Sequence, residues 1–119
     1  MNNLDYAVQK ALEQPYIKHQ KRLFAVVLDK KNRVVSQSAN SYSKTNTHQK
    51  RYGSRIGNPH LCYLHAELGA LLRDKNRRGV KLVVARIDSK GNSCLAKPCE
   101  ACMIAIKEYT NIKSIEFSV

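Results

Sequence analysis

Residues 63–109 read YLHAELGALLRDKNRRGVKLVVARIDSKGNSCLAKPCEACMIAIKEY, and three successive patterns in this stretch decide the class of fold. Leu64, Leu68, Leu71 and Leu72 recur at helical spacing, so residues 63–73 are predicted to form a helix with one apolar side. A basic turn at residues 74–79, closing on Gly79, ends that helix. The β-branched run at residues 80–87 then reads as a buried strand and residues 89–97 as a loop. Residues 98–109 read as a second helix with Pro98 in its first turn.

Upstream of this unit, Leu4, Ala7, Val8, Ala11 and Leu12 repeat at helical spacing, and Pro15 closes the helix they define, which should lie on one face of a sheet. The apolar run LFAVVL at residues 23–28, the turn-like Asp29-Lys30-Lys31-Asn32 and a β-favouring stretch at residues 33–37 read together as a hairpin. Residues 112–119 supply a last strand. Residues 38–59 are polar throughout and exceed the ~12–15 residues beyond which a loop without structure of its own is usually functional or disordered, and the functional case is expected. The order α-β-β-loop-α-β-α-β implies a single three-layer α-β-α domain over residues 1–119. Its mixed sheet has about four strands, the final ones parallel, with helices on both faces.

Composition agrees with that class. The chain has 119 residues, 43% apolar and 25% charged, which is ordinary globular usage and excludes disorder and collagen-like structure. It contains no repeat, no low-complexity tract and no linker-like segment. No segment approaches the ~18–20 apolar residues of a membrane span, and the polar first ten residues lack a signal peptide's apolar stretch. A soluble, cytoplasmic protein without a membrane partner is expected. In that compartment Cys62, Cys94, Cys99 and Cys102 should be reduced, so metal binding or catalysis explains them better than disulfides do.

Lysine and arginine total 21 against 9 acids, a net charge of +12. The excess is local. Between Asp29 and Glu67 there is no acid, while Lys30, Lys31, Arg33, Lys44, Lys50, Arg51 and Arg55 all fall there. Such a surface either meets a phosphate-bearing partner or keeps the protein soluble.

Chemistry concentrates in His65-Ala66-Glu67 and Pro98-Cys99-Glu100-Ala101-Cys102. Cysteines three apart at a helix start share a face, and the positive helix end favours the thiolate form that binds metal. With neutral His65 they make one nitrogen and two sulfurs, a set that suits zinc. Glu67, two positions from His65, is poorly placed to be a fourth ligand and well placed to stand beside one. Three protein ligands describe an open, catalytic zinc site, suited to hydrolytic attack on an amidine-like carbon with loss of ammonia.

These segments resemble the signature of the zinc-dependent nucleobase deaminases, the superfamily of cytidine, deoxycytidylate and tRNA-adenosine deaminases: His-x-Glu followed by Pro-Cys-x-x-Cys. The element order is similar from about residue 4 to residue 119. The resemblance implies a cytidine deaminase-like fold in which His65, Cys99 and Cys102 hold one Zn2+ per chain. It gives Glu67 the shuttling of a proton to the ring nitrogen and the departing amine, and the Ala66 N–H the binding of the base carbonyl. Asn40 would contact the sugar, with Asn46 and Asn58 in the same loop as competitors. Family members continue with a further helix and strand that this sequence does not carry before Val119, so an exposed sheet edge is expected, which a homo-oligomer could cover.

The activity implied is conversion of cytosine to uracil in a phosphate-bearing substrate, with a lean toward single-stranded DNA or RNA because seven cations exceed what one phosphate needs. Lys50, Arg51 and Tyr52 are then candidate substrate contacts, and Tyr42 a candidate stacking platform. The alternatives are a free cytidine, deoxycytidine or nucleotide deaminase, an adenine deaminase, and a non-catalytic zinc-stabilised nucleic-acid-binding domain. A closed structural site is also open, since Cys62-x-x-His65 with Cys99-x-x-Cys102 is a four-ligand pattern, although its halves lie further apart than the ~12–20 residues of compact zinc modules. Cys62 and Cys94 otherwise read as small buried or loop residues. His19, His48 and His60 read as surface or loop residues, the last two close enough to the site for a substrate contact.

Overall fold

The computed structural model describes residues 2–119 apart from His19, Lys44, Pro59 and Thr110. The expectations for His19 as a surface residue and for Lys44 within the basic stretch lie outside the described residues. The elements run α1 (Asn3–Leu12), β1 (Arg22–Leu28), β2 (Val34–Ala39), α2 (Thr47–Arg55), α3 (Ala66–Arg73), β3 (Lys81–Ile87), β4 (Ser93–Cys94), α4 (Glu100–Glu108) and β5 (Ser114–Phe117).

The two apolar runs are the centre of the sheet. β1 and β3 pair antiparallel along their whole length, from Arg22 opposite Ile87 to Leu28 opposite Lys81. Strands covered on both faces lose the polar alternation of half-exposed strands, which is why both sequences are almost continuously apolar. Their side chains still alternate between two cores. Ala25, Val27, Leu82 and Val84 pack with Ala66, Ala70 and Leu71 of α3 and Ile106 of α4. Phe24, Val26, Leu28, Val83, Ala85 and Ile87 pack on the opposite face with Ala7 and Ala11 of α1.

β2 pairs antiparallel with β1. The hairpin turn is held by Asp29, whose Oδ1 accepts from the N–H groups of Lys31 and Arg33, both at 2.9 Å. On its other side β3 is flanked by β5, parallel to residues 81–84, and by β4, antiparallel to Arg86 and Ile87. The architecture is therefore the expected α-β-α sandwich with a mixed sheet, but with five strands. The extra strand, β4, is two residues long and sits inside the stretch expected to be loop, too short to show any periodicity.

Two helix starts differ from expectation and one helix is additional, each for a local reason. α3 starts at Ala66 and not at residue 63, because Tyr63 is drawn into an antiparallel bridge with Thr45 and His65 becomes an extended N-cap. α4 starts at Glu100: Cys99 is its N-cap, with ψ 169°, and Pro98 precedes the helix. α2 was expected to be loop. Its nine residues are polar, and only Gln49 and Gly53 are buried. Asn46 caps it, its Oδ1 accepting from Gln49 N–H at 3.0 Å.

Close backbone approach replaces an apolar stripe in docking α2. A Cβ added at Gly53 would stand 2.6 Å from the carbonyl oxygen of Asn58 and 2.8 Å from that of Leu61. Gly53→Ala should therefore lower the urea midpoint of unfolding by the equivalent of about 1–3 kcal/mol, the usual cost of overpacking, although alanine is the better helix former.

Candidate active site

The N-termini of α3 and α4 converge. His65, the N-cap of α3, makes no side-chain capping bond, and its ring is free to turn toward α4. Its Nδ1 lies 3.3 Å from Cys102 Sγ and 3.5 Å from Cys99 Sγ. Zinc bonded to nitrogen and sulfur at tetrahedral angles sets those atoms about 3.6 Å apart, so the observed spacing fits that ion. Among the described residues, this trio brings three ligand atoms within 4.8 Å of one another. Cys62 is outside the trio, so the four-ligand structural pattern is not assembled; the Cys94 thiol points to the carbonyl of Arg86.

The main chain of His65 is fixed separately. Its N–H donates to Oε1 of the buried Gln49 at 3.1 Å. α2 thus holds the His65 backbone in place.

The electrostatics of the trio follow from these contacts. Cys99 is lowered to about 4, chiefly because the Cys102 thiol donates to it and secondarily because His65 does. Cys102, the donor of that pair, is pushed up, and its burial adds to the effect. His65 is raised by its hydrogen bond with Cys99 against the opposing effect of burial. A cation that replaces these protons turns a strained acid–base cluster into a closed charge balance.

Glu67 sits in the first turn of α3 and is only 3% exposed. Burial raises its carboxyl above the ordinary value. Its Oε1 is enclosed and has no hydrogen-bond partner. An unpartnered buried carboxylate oxygen is costly, and a water or substrate group beside the trio would satisfy it.

These residues open on a pocket of about 400 Å3 that includes Asn40, Ala66 and Glu67 in its lining, within the size range of small-ligand sites. Of the three asparagines considered for a sugar contact, only Asn40 lines it. The Asn40 amide already serves the backbone, Oδ1 accepting from Leu23 N–H and Nδ2 donating to the Lys21 carbonyl, each at 3.0 Å. Tyr42 and His60 also line the pocket; His48 is exposed at the start of α2 and does not.

Lys50, Arg51 and Tyr52 lie elsewhere. With Gln49 turned inward, the helix carries Lys50 and Arg51 outward to a separate shallow depression. Tyr52 turns toward α4, its hydroxyl donating to Glu108 Oε2 at 2.8 Å beside the Arg55–Glu108 ion pair. The pocket's cations are instead Lys21, Arg86 and Lys97, none of them in the acid-free stretch. Arg86 did leave a signal: it is the single charge inside the apolar run VVARI. Lys21 left none.

No protein-family model and no curated protein sequence matches the chain. Solved structures do. The cytidine deaminase of Mycobacterium tuberculosis superposes with a TM-score of 0.56 at 21% identity, over 95% of this chain and 80% of that one. One point mutant of that enzyme gives the same values. Another gives a TM-score of 0.52, over 89% and 71%. At 21% identity such likeness speaks for architecture. With helices on both faces of a mixed five-stranded sheet, the chain has the cytidine deaminase-like α/β fold.

Proposed function

We propose that this protein is a zinc-dependent hydrolytic deaminase that converts cytosine to uracil in a phosphate-bearing substrate. The observation that carries the reading is the convergence of the His65, Cys99 and Cys102 donors beside a buried Glu67 carboxylate whose Oε1 has no partner, in one pocket. Zinc, when bound by these three residues, supplies Lewis acidity that lowers the pKa of water toward ~7.

The remaining work falls to the chain. Glu67 takes a proton from the attacking water and delivers it to N3 of the ring, then takes the proton of the new C4 hydroxyl and passes it to the departing amine. The new C4–O bond replaces C4–N, giving uracil and ammonia. A carboxyl raised by burial suits both halves of that transfer, because its proton affinity lies nearer the working pH. The Ala66 N–H, in the first turn of α3, is available to the base carbonyl.

Among phosphate-bearing substrates, a single strand of DNA or RNA is the preferred class. Tyr42, Tyr63 and Leu95 line the pocket while remaining exposed. The two tyrosine rings can stack on bases flanking the one inserted. A free cytosine nucleotide is the second reading, favoured by the position of Lys50 and Arg51 outside the pocket. The deciding assay follows uracil formation on deoxycytidine, deoxycytidylate, single-stranded DNA and single-stranded RNA in parallel. Turnover is expected on the phosphate-bearing substrates, fastest on a strand. No uracil from any of the four would overturn the cytosine reading and turn attention to adenine or to binding without catalysis.

A further inference from the structure

We propose that Arg86 is the phosphate receptor of the pocket: its guanidinium, set in the wall formed by β3, binds the phosphate ester of the nucleotide whose base enters the site. The proposal rests on reading the pocket as a nucleotide site, and it concerns a residue that the deaminase signature does not contain.

Arg86 lies between Leu23 of β1 and Cys94 of β4 in the sheet register. Alternation along β3 puts it on the same face as Leu82 and Val84, the face covered by α3 and α4. Its backbone is held on both sides, the N–H donating to Ser118 Oγ at 3.0 Å and the carbonyl accepting from the Cys94 thiol. Nε is enclosed, without a hydrogen-bond partner. The ion pairs among the described residues join Lys10 to Glu13, Arg33 to Asp29, Arg55 to Glu108 and Lys81 to Glu116, and leave Arg86 out.

Arg86 is half-buried with its Nε enclosed, and an enclosed guanidinium nitrogen without a partner is destabilising. Here Glu67 is the only acid among the described pocket residues, and it forms no ion pair with Arg86. Lys21 and Lys97 add exposed positive charge to the same pocket. The missing partner is therefore an anion that arrives with the ligand. A guanidinium presents its N–H groups as a planar fork that matches phosphate oxygens, whereas an ammonium acts as a point charge.

The test is calorimetric binding to the zinc-loaded protein, comparing deoxycytidine, deoxycytidylate and a short single-stranded oligonucleotide containing one cytosine. Wild type should bind deoxycytidylate about 10- to 100-fold more tightly than deoxycytidine, the range expected of hydrogen bonds to a charged group. In Arg86→Gln that ratio should fall toward one, and Arg86→Lys should keep part of it. Equal loss of oligonucleotide affinity in Arg86→Gln identifies a strand phosphate as the ligand; loss confined to deoxycytidylate identifies the free nucleotide.

A wild-type ratio near one, an unchanged ratio in Arg86→Gln, or no binding of any of the three overturns the proposal. Should Arg86→Gln not fold, Arg86→Lys and the wild type decide. Inorganic phosphate must then compete with deoxycytidylate far more strongly than with deoxycytidine. Binding needs no turnover, so a phosphate-dependent ratio without uracil formation would keep Arg86 as receptor while removing the deaminase reading.

Discussion

Glu67→Gln is expected to lower kcat for uracil formation by about 100- to 10,000-fold, the usual contribution of a general acid–base group, without loss of zinc. Glutamine keeps the shape of the side chain and cannot carry the proton between water, ring nitrogen and amine. The same substitution should raise the melting temperature of the metal-free protein at neutral pH. Glu67 is 3% exposed, and burial holds its carboxyl above the reference value of 4.5. A carboxyl raised in this way binds its proton more tightly in the folded state than in the unfolded one. Its contribution is fully present below pH 4.5 and is lost as pH rises through the folded value. The stabilising effect of glutamine should accordingly be small at acid pH and grow toward neutrality. Thermal melts of both proteins in chelator across that range check it, and parallel curves would show that the carboxylate carries no burial penalty.

Cys102→Ala should take zinc content from about one ion per chain to near zero, and activity with it, whereas Cys62→Ser should leave zinc content unchanged. Cys102 is 1% exposed, and its sulfur faces His65 at 3.3 Å. Removing it leaves one nitrogen and one thiolate, too few protein ligands for a tetrahedral zinc site of either kind. Cys62 lines the pocket but contributes no atom to the trio. Metal analysis of the purified variants separates an open site from a closed one. Zinc lost with Cys62, or retained without Cys102, would each contradict the three-ligand site.

The parts of the molecule that were legible in sequence are those whose pattern repeats. The runs at residues 23–28 and 80–87 could only be buried strands, and the spacing of leucines and alanines placed α1 and α3 on the sheet to within a few residues. The clustering of His65, Cys99 and Cys102 was legible because they lie in two short segments with fixed internal spacing.

α2 was hidden for a physical reason: it is anchored by a capping asparagine, a buried glutamine and a glycine in close contact, and none of these makes an apolar period. Lys50 and Arg51, which the charge pattern set beside the site, line a separate depression. The cations that do line the pocket come from just before β1, the end of β3 and the segment before α4, brought together by the fold.

The polar docking of α2 gives the molecule two tiers of cohesion. β1 and β3 are locked between two apolar cores and exchange contacts along their full length. α2 is joined to α4 through Glu108, whose ion pair with Arg55 is about half exposed on both sides and so is weak in water and weaker in salt. Among the described residues, its hydrogen bond to the start of α3 runs from His65 N–H to Gln49. Segments held in this way open at lower free energy than the strands they rest on. The helix that braces the His65 backbone is thus held more weakly than the strands, so ionic strength has a route to the candidate metal site that leaves the hydrophobic cores untouched.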